Sequence, residues 1–439
     1  MDKKTRFLVS AASLVILVLG TVIGIMLVQG FTFDTKTNKV IQTGVLVVNS
    51  VPNGAQIFID DRYQDITNTS ISYLPSKKYK IQLKKEGYVP WEKELEIDNK
   101  IITEVEAILW PAIPSVNPVT TTGAINLKAS PDGLKAAYGV RFNEQEKAGL
   151  WIIDMAKRTV FSGASTEFTQ IARNTNALDF STADYVWSPD SKQILVTLQE
   201  NKDPNPRFQR NYILDTTRLN NNPSDITLTK EGILETWLEE WNTQENTRLQ
   251  KLVGDAQGER IASNSAIPIR WSWDNTMFLY AEASSVTNVQ SPTSQPRIIP
   301  IRSTRTSTEA AVLEQNESTS SSQMYRKDIE ALSASVSATM KVKVYDVKKK
   351  TSYDLPHASY YSWYPAEEKA DRAIQHLIMV EDNAISMIET DGKNKSTLYS
   401  GPYEKGRVFP WPDGGRLVFL TNFNAGAGSE PNLYTINLR

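Results

Sequence analysis

Trp187-Ser188-Pro189-Asp190-Ser191 leads into Ile194-Leu195-Val196, and Ala129-Ser130-Pro131-Asp132-Gly133 leads into Ala136-Ala137-Tyr138. Each reads as a turn followed by a buried strand. Proline fixes φ, short polar side chains hold the bend, and the apolar run that follows is short. The pattern returns, altered, at Trp271-Ser272-Trp273-Asp274-Asn275 before Met277-Phe278-Leu279-Tyr280, at Trp363-Tyr364-Pro365-Ala366, and at Trp411-Pro412-Asp413-Gly414-Gly415 before Leu417-Val418-Phe419-Leu420. A second strand follows each copy, at 150–154, 212–215, 342–347, 384–388 and 432–436. Repeated pairs of strands indicate a radial array of small sheets, each burying its faces against its neighbours. The fold class is therefore mainly β, with a β-propeller over residues 114–439. Irregular spacing leaves five to seven blades open, and the strand before Ser130 is expected to close the ring with the C-terminal strand.

Two insertions account for the irregular spacing. Residues 229–254 read as a helix, because Leu234, Trp237, Leu238, Trp241, Leu249 and Leu252 recur at helical spacing. That stripe fits packing on the propeller better than a partner-binding face. Residues 283–340 are Ser/Thr-rich with few aromatics and read as a flexible insertion, with a short helix within 328–340. The sequons at Asn316 and Asn394 matter only in a glycosylating host.

At the other end of the chain, Lys3, Lys4 and Arg6 precede an uncharged run over 7–28. At 1.5 Å per residue the run reaches about 33 Å, enough for the ~30 Å hydrocarbon core. No small-residue cleavage site follows, so the run reads as an uncleaved transmembrane signal anchor with the bilayer as its partner. The basic flank makes 1–6 a cytoplasmic stub and leaves everything after the anchor extracytoplasmic. Residues 29–42 read as a linker. Gly20 and Gly24 form a small-residue pair that also suits helix dimerisation.

Residues 43–110 show short strands separated by turns. Tyr79, Ile81 and Leu83 alternate with Lys78, Lys80, Gln82 and Lys84, which puts the apolar set on one face and the lysines on a solvated one. Contact of those lysines with an anionic polymer is the alternative. Asp60, Asp61 and Asp65 suit a hairpin turn better than a calcium loop, for which the spacing is wrong.

Within this segment, Val51-Pro52-Asn53-Gly54-Ala55-Gln56-Ile57-Phe58-Ile59-Asp60 resembles the opening of a PEGA domain, and Lys85-Glu86-Gly87-Tyr88 resembles a later part of it. Asp60-Asp61 replaces the usual Asp-Gly. The resemblance implies a small β-sandwich-like module of envelope proteins, without catalysis. The Ser-Pro-Asp-Gly/Ser repeats with a preceding Trp resemble those of TolB-like propellers, from about residue 114 to 439.

The rest of the sequence narrows chemistry by exclusion. With 48 basic and 50 acidic residues there is no bulk signal for nucleic acid. Without cysteine there are no disulfides, thiol nucleophiles or cysteine-ligated metals, and the two histidines, His357 and His376, make a multi-histidine site unexpected. No nucleophile elbow, zinc-protease motif or Walker loop occurs. The glycines at 426 and 428 belong to a turn. No catalytic, metal or cofactor residue is assigned, and binding residues are left unknown. The expected function is a non-enzymatic, membrane-anchored scaffold of the cell envelope that displays a propeller to a protein or glycan partner. The alternative is an envelope glycan hydrolase or lyase with carboxylates in the propeller channel. A third reading is a sensor or assembly subunit that needs a partner within the bilayer. The blade-start tryptophans are expected to be packing residues rather than a sugar platform.

Overall fold

The computed structural model describes residues 3–28, 30–34, 39–99, 101–141, 146–156, 167–199, 209–283, 340–365, 376–404, 408–423 and 430–439. Apart from its end residues, the insertion expected at 283–340 lies outside the described residues, as do the glycines at 426 and 428. The chain divides into two compact units, 1–113 and 114–439.

The first unit begins with helix α1, Lys3–Val28. Its described side chains run unbroken from Ser10 to Met26 and include exposed Leu14, Ile16, Leu17, Leu19, Val22 and Ile23. Over this described run of side chains no helix is long and apolar enough to cross a membrane, so the transmembrane anchor expected over 7–28 is not shown by the described residues.

Two sheets follow. In one, the long strand Lys39–Val51 pairs antiparallel with Phe31–Asp34 and Thr69–Pro75, and parallel with Ile102–Ile108. The stretch 29–42, expected as a linker, thus carries a hairpin of this sheet. The other sheet has the order Arg62–Ile66, Gln56–Ile59, Lys77–Lys84, Trp91–Ile97. Leu46, Val48 and Val105 from the first and Ile57, Ile81 and Leu83 from the second share one core. The period-two reading of 78–84 holds: Tyr79, Ile81 and Leu83 are buried between more exposed neighbours. The lysine face is met by a glutamate ladder, Lys78 opposite Glu96 and Lys80 opposite Glu94, with Lys80 Nζ 3.3 Å from Glu92. Asp60 and Asp61 form the hairpin bend at φ 48° and 62°, as a type I′ turn requires. Behind the Pro52-Asn53-Gly54 turn, Thr67 Oγ1 accepts from the Ala55 N–H at 2.9 Å and pairs with Ser50 Oγ at 2.6 Å.

In the second unit, the described residues form five four-stranded sheets. Blade 1 is Ile125–Ala129, Lys135–Val140, Gly149–Asp154 and Glu167–Arg173. Blade 2 is Asp184–Trp187, Gln193–Gln199, Gln209–Asp215 and Ser224–Asp225. Blade 3 is Arg270–Trp271, Met277–Ala283, Met340–Asp346 and Thr351–Asp354. Blade 4 is Tyr360–Tyr364, His376–Val380, Ala384–Glu389 and Ser396–Ser400. Blade 5 is Val408–Pro410, Arg416–Thr421 and Asn432–Asn437, completed by Val116–Pro118. That last strand closes the ring by pairing with Asn432–Asn437. The strand directly before Ser130 is the first of blade 1, so the expected closure was one strand too late in the chain.

Three of the repeated turns, those of blades 1, 2 and 3, share one hydrogen-bond scheme. Ser188 Oγ donates to Asp190 Oδ1 at 2.7 Å and accepts from the Gln193 N–H at 2.9 Å, while Asp190 Oδ1 accepts from the Lys192 N–H. Ser130 with Asp132 and Ser272 with Asp274 repeat these bonds. The serine and aspartate are therefore turn chemistry.

Alternate side chains face opposite neighbours. Blades 1 and 2 share the core of Leu150, Ile152, Tyr185 and Trp187, blades 3 and 4 that of Leu279, Val344, Trp363 and Leu377, and blades 5 and 1 that of Val418, Leu420, Tyr138 and Ile153. Tyr399 of blade 4 packs on Phe419 of blade 5 with centroids 4.9 Å apart. Between blades 2 and 3 the filler is helical. Helix α2, Lys230–Leu249, packs Leu234 and Trp237 on Val186 and Leu195 of blade 2. The 3-10 turn Gln250–Leu252 and helix α3, Ala256–Ser263, pack Leu252 and Ile261 on Phe278, Tyr280 and Tyr345 of blade 3. The apolar stripe is thus a packing face, as expected, and it wedges the ring where two sheets would otherwise meet.

Candidate functional site

Side chains on the wedge and the first strands of the blades, more apolar than polar, enclose a cavity of roughly 1980 Å³. Ala129, Arg270, Tyr360, Trp363 and Phe409 line it from the first strands, and Trp241, Glu245, Arg248, Glu259 and Arg260 from the helices. These first strands are therefore the innermost, and the cavity is the central channel, walled by helices on the side between blades 2 and 3.

The tryptophans at the strand ends show how the wedge is seated. Trp187 of blade 2 donates its Nε1–H to the Lys128 carbonyl of blade 1, 3.3 Å away, and Trp363 of blade 4 donates to the Arg270 carbonyl of blade 3 at 2.9 Å. Trp271 of blade 3 follows helices instead of a blade, and its Nε1–H goes to Glu245 Oε1 at 2.8 Å. A helix carboxylate thus replaces the backbone carbonyl of a preceding inner strand. Glu245 Oε2 lies 3.4 Å from Arg248. Burial pushes the Glu245 carboxyl above its ordinary range, against the pull of the Trp271 and Arg248 hydrogen bonds.

Trp187, Trp271, Trp363 and Trp411 are all buried. Trp411, however, stands one position later than the others. Its N–H donates to the Arg416 carbonyl as the Ser188 N–H donates to Gln193, so Trp411 occupies the serine position and Pro410 the tryptophan position. The one-residue offset turns its ring toward blade 1, the following blade, with Arg416 stacked 4.1 Å from its centroid.

Trp273 behaves differently. Its side chain is 49% exposed and lines the channel. It takes the place held by Pro131, Pro189, Pro365 and Pro412 in the other blades, and the blade 3 turn forms without that proline. Its six-membered ring lies over Gly133 of blade 1, and its Nε1–H points at the Trp363 carbonyl 3.5 Å away. In the sequence Trp273 is hidden inside a degenerate motif. The signal that could have found it is the unique Pro-to-Trp exchange.

Two of the three carboxylates that line the channel are occupied, Asp132 by Ser130 and the Leu134 N–H and Glu245 by Trp271 and Arg248, while the third, Glu259, is exposed. Arg270 is half-buried, donates to the Tyr361 carbonyl at 3.0 Å and lies over the Tyr360 ring. His376 is buried in blade 4 and His357 is exposed. Among the described residues, no group of three or more His, Cys, Asp or Glu could hold a metal ion.

Residues 43–112 match the PEGA domain family, two residues beyond the expected end. No curated protein matches the chain. Among solved structures, TolB from Acinetobacter baumannii is similar at 11% identity and a TM-score of 0.22, over 83% of this chain and 60% of that one. The chain thus spans less than two thirds of that protein. The putative TolB from Agrobacterium tumefaciens is similar at 11% identity and a TM-score of 0.19, over 73% of this chain and 74% of that one. The β-propeller domain of the trilobed protease from Pyrococcus furiosus is similar at 11% identity and a TM-score of 0.21, over 90% of this chain and 92% of that one. Superpositions this loose leave the assignment to the sheet order itself. Residues 43–112 are a PEGA domain, and the unit that follows is a β-propeller.

Proposed function

We propose that the protein is a non-enzymatic binding or scaffold protein of the cell envelope, anchored by α1 and presenting its propeller channel outside the cytoplasm. Two observations support the anchor. Helix α1 runs from Lys3 to Val28, about 39 Å at 1.5 Å per residue, which exceeds the ~30 Å hydrocarbon core. Its described apolar side chains are exposed rather than packed, and burying apolar surface is worth about 25 cal/mol per Å², which favours lipid around it. The basic residues Lys3, Lys4 and Arg6 at its start favour a cytoplasmic N-terminus.

The observation that carries binding over catalysis is the channel. It is large and mixed in character, with aliphatic, aromatic, amide and guanidinium groups, and of its three carboxylates Asp132 and Glu245 are spent on turn and wedge hydrogen bonds, which leaves Glu259 as a single acid where a pair is needed. An acid–base pair needs carboxylates free to exchange protons with a substrate. Chemical cross-linking of the full-length protein in membranes, followed by identification of captured species, tests this reading. Reproducible capture that is lost when channel residues are changed supports it. Hydrolysis of envelope glycans by the purified protein would overturn it.

A further inference from the structure

We propose that the channel is a saccharide site in which Trp273 is the stacking surface for a neutral oligosaccharide. This rests on the reading of the channel as a binding site.

The first support is the repeat itself. Ser272 and Asp274 make the same turn bonds as Ser188 and Asp190 in a blade with proline between them, so the bend gives no reason for an indole at position 273. The other repeat tryptophans are buried, whereas half of Trp273 is open and lines the channel. The ring is nonetheless held. Its six-membered edge rests on Gly133, where the missing side chain makes room, and its N–H faces the Trp363 carbonyl. An aromatic surface that is rigid before the ligand arrives loses little entropy on binding.

The second support is the chemistry around it. Asn242, Gln244, Asn246, Gln250, Asn264 and Asn275 line the same cavity. Each amide offers both donors and an acceptor, which suits hydroxyl groups that do the same. The charged lining is balanced: Asp132, Glu245 and Glu259 against Arg248, Arg260 and Arg270. A balanced channel gives no electrostatic preference for a polyanion or a basic peptide, and with Leu238, Leu249, Ile267 and Phe409 also in the lining it suits an uncharged ligand that presents both hydroxyl edges and apolar faces, as a sugar ring does.

The test is calorimetric titration of the full-length protein in detergent with chitotetraose, cellotetraose and maltotetraose, with tryptophan fluorescence recorded in parallel. At least one sugar should bind, and Trp273→Ala should weaken it about tenfold, the factor that ~1.4 kcal/mol of lost stacking represents. The melting temperature should stay unchanged. Trp273→Phe, which keeps a ring, should retain most of the affinity and guards against a folding defect in the alanine variant. Absence of binding by all three sugars at millimolar concentration, or equal binding by wild type and Trp273→Ala, would overturn the proposal. If no sugar binds but Trp273→Ala abolishes capture of a cross-linked envelope protein, the saccharide assignment falls and the binding reading stands.

Discussion

The six-membered ring of Trp273 lies directly over Gly133, so the turns of blades 3 and 1 meet across the mouth of the ring. A Cβ built on Gly133 would stand 3.3 Å from Cζ2 and Cζ3 of that ring and closer still to Cη2. Gly133 also has φ +68°, a conformation that costs an L-residue roughly 1–2 kcal/mol. Gly133→Ala should therefore carry two penalties, the backbone strain and about 1–3 kcal/mol of overpacking. In a Trp273→Ala background only the first should remain. Denaturant unfolding of the four proteins of this cycle measures the coupling; a cycle with no coupling would mean that the two residues do not touch.

The buried tryptophans should behave in the opposite way to Trp273. Trp187 is 2% exposed and ties blade 2 to blade 1 through the Lys128 carbonyl. Trp187→Ala should lower stability by about 3–5 kcal/mol, as other large buried aromatics do. Trp411→Ala should cost a similar amount, although it packs toward the following blade. Thermal unfolding of the two variants decides this, and an unchanged transition in both would return these residues to the surface.

Glu245 should give the wedge a pH signature. Its folded-state carboxyl titrates above its ordinary value of 4.5, chiefly because of burial. A group whose pKa is raised by folding contributes most stability below its unfolded value and loses that contribution as pH rises through its folded value. Relative to Glu245→Gln, which keeps an acceptor for Trp271 but does not titrate, the native chain should lose stability as pH rises above the ordinary carboxyl value of 4.5 and through the raised folded-state value. Glu245→Ala should be worse than Glu245→Gln at every pH, because the Trp271 N–H is left without its acceptor, at about 1–3 kcal/mol. Unfolding curves across that range check the sign, and parallel curves for native and glutamine proteins would refute it.

In the PEGA domain, Thr67 joins the end of one sheet to the turn that opens the other. Its hydroxyl serves both the Ala55 N–H and Ser50 Oγ. Thr67→Val keeps the shape and leaves the Ala55 N–H without its acceptor, while Ser50 Oγ still donates to the Pro52 carbonyl, so it should cost about 1–3 kcal/mol, whereas Thr67→Ser should be nearly silent. Amide hydrogen exchange at Ala55 should report the loss locally, and unchanged protection in the valine variant would contradict the bond.

Much of this fold was legible because its turns carry their own chemistry. Ser188 and Asp190 announce a bend wherever they occur, and the apolar run beside them announces a buried strand. What stayed hidden depends on partners that a local pattern does not name. The stripe Leu234, Trp237 and Leu252 shows that a helix is packed, but not that it stands between two blades. Pro410-Trp411 looks like the other copies, yet one residue of offset reverses which neighbour the indole meets. Val116–Pro118 is too short to announce itself, and its role comes from pairing with a strand at the far end of the chain. Trp273 and Glu245 were missed as site residues for the same reason. Their neighbours, Gly133 and Trp271, are distant in sequence.

The most direct test of the account as a whole is topological. The chain has no cysteine, so a single introduced thiol reports its own surroundings. Leu228, in the connection between blade 2 and α2, is fully exposed, with a relative accessibility of 100%. Leu228→Cys, expressed full-length in a bacterial host and treated with a membrane-impermeant maleimide in intact spheroplasts, should be labelled as completely as it is after lysis, and it should sediment with membranes. Labelling only after lysis would place the propeller in the cytoplasm and contradict the account.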